Sequence, residues 1–280
     1  MHLFSHLAEI NTAERFMEAR RFVKEYGMQR LKRELIAPGY VEKTSGQLTT
    51  GLQPFNVFAR YGAGLMRPNE SDQAALRRAD PEYAERFIVC RNLPANDEQW
   101  ENPSPKWVGR SSMAKIHRFL VIRKPPDDKA SASREPDSEW MDLFWTWFNV
   151  VTFGMVDVDP RHENMDVDEV QKLESNTKAS LEQLKAALKA LRTMRKAAYG
   201  FVEQDAATSG WSLRQDGALD IGLYFHCYPH CSVNSLHLHI VDLANTGPTY
   251  DACKHKNLCI DDVIEGLERE IRAIEQPTAR

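Results

Sequence analysis

Two histidines stand two positions apart in the stretch SLHLHIVDL, residues 235 to 243. Leu236, Leu238 and Ile240 alternate with Ser235, His237 and His239, a period of two that reads as a half-buried strand. Side chains alternate across a strand, so Ser235, His237 and His239 share one face. A neutral imidazole near pH 7 can attack an electrophilic phosphorus, and a second can orient a substrate or stabilise charge. Positions two apart on a strand are roughly 6.6 Å apart, so the two rings can flank one phosphate but can hardly attack the same atom. The preceding link PHCSVN adds Ser232, Asn234 and backbone N–H groups. Hydroxyl, amide and imidazole converging at a turn suit an anionic ligand, with phosphate the obvious one.

The strand before it, DIGLYFHCY, has the same alternation, with Tyr224, His226 and Tyr228 on one face and Phe225 and Cys227 on the other. If the two strands pair, His226 joins the side of His237 and His239. The run HCYPHC also raises zinc, through Cys227, His230 and Cys231. A structural zinc takes four ligands, and only Cys253, His255 and Cys259 on a distant loop complete the set, so no metal is expected.

The elements that must hold these residues follow from periodicity. Asn11 and Glu14 have capping-box spacing before a helical run that ends at Pro38-Gly39. Its basic residues, including Arg20, Arg21 and Lys24, are interrupted by acids and read as a solvated face. Residues 40 to 70 read as loop or short strands, and SDQAALRRA as a short helix. Strands are predicted near 86–91, 116–122, 222–228 and 235–242, with the last two adjacent. The polar, proline-bearing run from 95 to 112 reads as a surface insertion. Trp140, Phe144, Trp147, Phe148 and Val151 form one helical stripe, with Gly154 as C-cap. Leu181, Leu184, Leu188 and Leu191 form another, read as core packing, and residues 260 to 274 make an amphipathic terminal helix. Segregated helices beside closely linked strands predict an α+β sheet rather than a doubly wound one. Residues 1–80 are expected to form a mainly helical extension, and 81–280 the sheet domain, with a helical insertion at 137–200.

The chain has 280 residues, is 42% hydrophobic and carries a formal charge of −4, which gives no reason to expect a long nucleic-acid partner. No segment is long and apolar enough to span a membrane and no secretory leader is visible. Five cysteines without such a leader point to reduced thiols in the cytoplasm. There is no glycine-rich phosphate loop, and no cofactor is expected. The aromatic stripe around Trp147 offers apolar surface for a homodimer.

CSVNSLHLHIVDL resembles the signature strand of the histidine triad superfamily, in which three histidines alternate with apolar residues. KIHRFLVIRKPP and RFIVCRNLP look like the family's two earlier strands. The resemblance covers roughly 84–126 and 220–265. It implies a histidine-triad-like antiparallel sheet and a hydrolase acting on a phosphoanhydride or phosphoramidate bond of a nucleotide. It further implies a nucleotidyl-histidine on His237, with His239 as the third triad residue and Ser232 assisting the leaving group. By the same resemblance Asn92 falls near a ribose ligand and His226 near an asparagine on the neighbouring strand. The chain departs from the family at Ser235, which replaces the first histidine and leaves hydroxyl contact with substrate. It departs again at Arg118, which stands where a histidine is frequent, with His117 one place off. The alternatives are a non-catalytic nucleotide-binding module, a nucleotidyltransferase or phosphorylase, and a scavenger-decapping-like enzyme.

Overall fold

The computed structural model describes residues 8–26, 39, 57–123, 149–155, 167–227 and 236–276. The aromatic positions 140 to 148, the end of the first helical run, and Ser232, Asn234 and Ser235 lie outside these. Among the described residues the chain is a mixed α+β structure on one antiparallel sheet. Its strands are β1 (Phe87–Arg91), β2 (His117–Ile122), β3 (Ile221–Phe225), β4 (His237–Asp242) and β5 (Leu258–Cys259), in the order β1-β2-β4-β3-β5. The first four strands fall where the sequence predicts them, β5 was not predicted, and β3 and β4 are neighbours as expected.

One face of the sheet carries Phe87, Val89, Leu120, Ile122, Leu223, Phe225, Leu238, Ile240 and Leu258, all in the main core. Each such side chain contributes about 1.5–3 kcal/mol when fully buried. Against that core pack α1 (Ala13–Tyr26), α3 (Glu70–Ala79), the 43-residue α6 (Val167–Ser209) and α8 (Ile260–Glu275). The leucine stripe on α6 does what its spacing predicts: Leu184, Leu188 and Leu191 are buried, and Leu181 packs at their margin. Between β4 and β5 lies α7 (Pro248–Cys253), and two short helices, α4 (Pro81–Arg86) and α5 (Pro94–Asp97), flank β1.

Three local readings change. The cap of α1 is Thr12, whose Oγ1 accepts from Arg15 N at 3.3 Å, while Asn11 donates to Lys254 O at 3.1 Å instead. Arg20 is not on a solvated face. It is 1% exposed, pairs with Glu270 at 2.8 Å, and donates to the carbonyls of Val150, Val151 and Phe153. The first two carbonyls belong to a 3₁₀ turn, Val150–Thr152, capped by Phe153, and Gly154 at its exit adopts a φ of +67°, the left-handed conformation a C-cap requires. Residues 57–62, within the stretch read as loop or strand, form the short helix α2 (Val57–Gly62). No helix among the described residues is long and apolar enough to cross a membrane.

Candidate functional site

β2 and β4 are buried on both faces, so the pleat sorts their polar residues onto opposite sides of the sheet. In the β2–β4 register Phe119 faces His239 and Val121 faces His237, and His117 lies in phase with both. In the β3–β4 register Tyr224 faces His239, and His226 follows two positions later. Four imidazoles therefore gather on one face. Ring centroids are 4.7 Å apart for His237 and His239, 4.1 Å for His226 and His239, and 5.2 Å for His117 and His239. The His237 and His239 rings lean together, closer than the strand spacing alone requires. Gly222 makes room on this face: a Cβ there would lie 2.3 Å from the Tyr224 ring, whose hydroxyl meets that of Tyr250 at 3.0 Å.

The cluster is dry. His117, His237 and His239 are each under a tenth exposed. The Phe58 ring on α2 stacks on His237 at 4.2 Å, and Phe119 lies edge-on to His237 and His239 at 5.7 and 5.0 Å. Burial first, then the neighbouring Arg118 and His237, pulls the His117 pKa down to about 3. Burial and Lys256 hold His226 well below the ordinary histidine value, and burial and the other three histidines do the same for His239. These three rings are neutral at pH 7, because an imidazolium deprived of water is costly.

Their tautomers follow from the bonds. The Met113 N–H donates to His117 Nδ1 at 3.3 Å, and the Asn92 amide nitrogen lies 3.5 Å from the same atom. An atom that accepts has no proton, so neutral His117 carries its proton on Nε2. That N–H donates to His239 Nδ1 at 3.0 Å. His239 in turn carries its proton on Nε2, a buried donor with no hydrogen-bond partner among the described residues. Asn92 also donates to Ser112 Oγ at 2.7 Å, and the Ser112 hydroxyl donates to Asp97. A hydrogen-bonded chain thus runs from Asp97 through Ser112, Asn92 and His117 to His239.

His226, His237 and His239, singled out in the sequence, come together here. Asn92 reaches the cluster through His117. Arg118 does not: one step out of phase with His117, it lies on the opposite face, 3.6 Å from Asp72. Asp72 is fully buried and also takes a two-pronged contact from Arg91 at 2.7 and 2.6 Å. This removes Arg118 from contact with a ligand held by the histidines. Phe58, Asp97, Ser112 and Asn257 were not singled out, and His117 was noted only as standing one place off the family's histidine. The run read as a surface insertion brings Ser111 and Ser112 into the interior. Among the described residues, no three His, Cys, Asp or Glu side chains are arranged to hold a metal ion. An open crevice of about 550 Å³ lined by Tyr83, Arg195, Tyr199 and Asp261, among others, contains no histidine.

Compared with known proteins, the chain matches no family model, no curated protein and no solved structure.

Proposed function

We propose that the chain is a histidine-triad-like hydrolase or transferase acting on a phosphoanhydride or phosphoramidate bond of a nucleotide, with His237 as nucleophile. The observation that carries this reading is the contact of His237 with His239, whose Nε2–H is a fixed, buried donor with no partner among the described residues. A nucleophile beside a donor left open for a ligand is the pairing that displacement at a phosphoryl group needs. A nitrogen of His237 attacks the α-phosphorus. The N–P bond forms as the bond to the leaving group breaks, and the electron pair leaves with that group. Water then attacks the same phosphorus, the P–N bond breaks, the imidazole is regenerated and one proton passes to solvent. The Phe58 and Phe119 rings keep bulk water from the face of His237, which strengthens every charge interaction there.

His239 cannot give up its Nε2 proton without becoming an imidazolate, because its Nδ1 is occupied by the His117 N–H. Its part is to hold a phosphoryl oxygen, not to act as an acid. The test is rapid quench with labelled nucleotides. Wild type should trap an acid-labile, base-stable adduct, and His237→Asn should lose both adduct and turnover, by more than the factor of about 10²–10⁴ expected for an acid–base helper. Undiminished turnover in His237→Asn would sink the assignment. Ser235 at the first triad position favours a second reading, a nucleotide-binding module without turnover. Tight nucleotide binding with no product from any panel member would establish it.

A further inference from the structure

Asn257 lies between α7 and β5. Its backbone N–H donates to Cys253 O at 3.0 Å, closing the turn after α7, and Leu258 then enters the sheet beside Phe225. The side chain is thereby held against β3. It is 7% exposed, and its Oδ1 lies 2.9 Å from His226 Nε2. An amide oxygen only accepts, so His226 is the donor in this bond. The amide nitrogen at the other end of the same group is buried with no hydrogen-bond partner among the described residues.

Two buried donors without acceptors among the described residues therefore stand at the two neighbours of one ring: Asn257 Nδ2 beside His226, and His239 Nε2, whose ring packs on His226 at 4.1 Å. An orphaned buried donor costs about 1–3 kcal/mol, so two of them beside one ring are expensive unless a ligand accepts from them. The ammonium of Lys256 is close enough to depress both imidazoles, so the local field is positive. Two unpartnered donors beside a lysine ammonium suit a group that only accepts, which is an oxyanion.

We propose that Asn257 is a substrate-binding residue that, together with His239, hydrogen-bonds the non-bridging oxygens of the phosphoryl group. The inference rests on the nucleotide reading above and adds to it a ligand from outside the histidine strand. Oδ1 anchors the amide to His226 and Nδ2 faces the ligand, so Asn257 works as an oriented donor.

Asn257→Asp separates this role from a structural one. The aspartate still accepts from His226 but replaces the ligand-facing donor with an acceptor of like charge. Calorimetric titration with adenosine 5′-monophosphate and with adenosine measures the effect. Wild type should bind the monophosphate more tightly than the nucleoside. Asn257→Asp should weaken the monophosphate by about 10- to 100-fold, the worth of one hydrogen bond to a charged group, and leave adenosine unchanged. Equal monophosphate binding by variant and wild type would overturn the role of Asn257 and leave the nucleotide reading intact. A wild type that does not prefer the monophosphate would overturn the reading itself. Should the variant fail to fold, the side-chain amide resonances of Asn257 in wild type decide. They should move on saturation with the monophosphate, and their failure to move would refute the contact.

Discussion

The neutral histidines make stability depend on pH in a calculable way. His117, His226 and His239 resist protonation in the folded chain, His117 down to about 3, whereas in the unfolded chain each takes up a proton near 6.5. Below 6.5 the unfolded state therefore binds more protons than the folded one, and stability falls as pH falls. The stability is fully present above 6.5 and drains away toward the depressed folded values. At a pH of about 5.5 the His117 imidazole, still neutral in the folded chain, costs the folded state about 1.4 kcal/mol, and His226 and His239 act in the same direction. Most carboxylates titrate below this window, near 4, so the loss is separable from ordinary acid denaturation. Urea unfolding followed by tryptophan fluorescence at about pH 7.5 and about pH 5.5 measures it. The expected drop in wild type is at least about 1.4 kcal/mol, and the drop in His117→Gln, which removes that site, should be smaller than the wild-type drop by about 1.4 kcal/mol. A wild-type drop below about 1 kcal/mol, or a full drop in His117→Gln, would refute the reasoning.

Asp72→Leu leaves Arg91 and Arg118 beside the sheet without their shared carboxylate. It should cost about 3–5 kcal/mol, read as a fall in Tm of about 10 °C by calorimetry. Phe58→Ala removes the ring stacked on His237 and should cost about 3–5 kcal/mol in urea unfolding, with a loss of turnover larger than that of the better-packed Phe58→Leu.

The sequence by itself determined the strands and which residues of β4 share a face, because alternation is a local property of an extended chain. Leu238 and Ile240 had to point to the apolar core, and His237 and His239 had to point away from it. It determined the inner stripe of α6 and of α8 for the same reason, at helical period. Only the tertiary structure decided between His117 and Arg118. Both faces of β2 are apolar beyond these two residues, Phe119 and Val121 on one and Leu120 and Ile122 on the other, so the pattern could not say which face would meet the histidines. Pairing with β4 settled it, and the arginine went to Asp72. Phe58, Asp97, Ser112 and Asn257 reach the histidine face from loops and short helices far away in the chain. Nothing in their own neighbourhoods marks them. Each is where it is because of long-range packing: Phe58 stacks on His237, and the others join hydrogen bonds whose directions exist only once the sheet has closed, the donor on His239 fixed by His117 and the donor on Asn257 by His226.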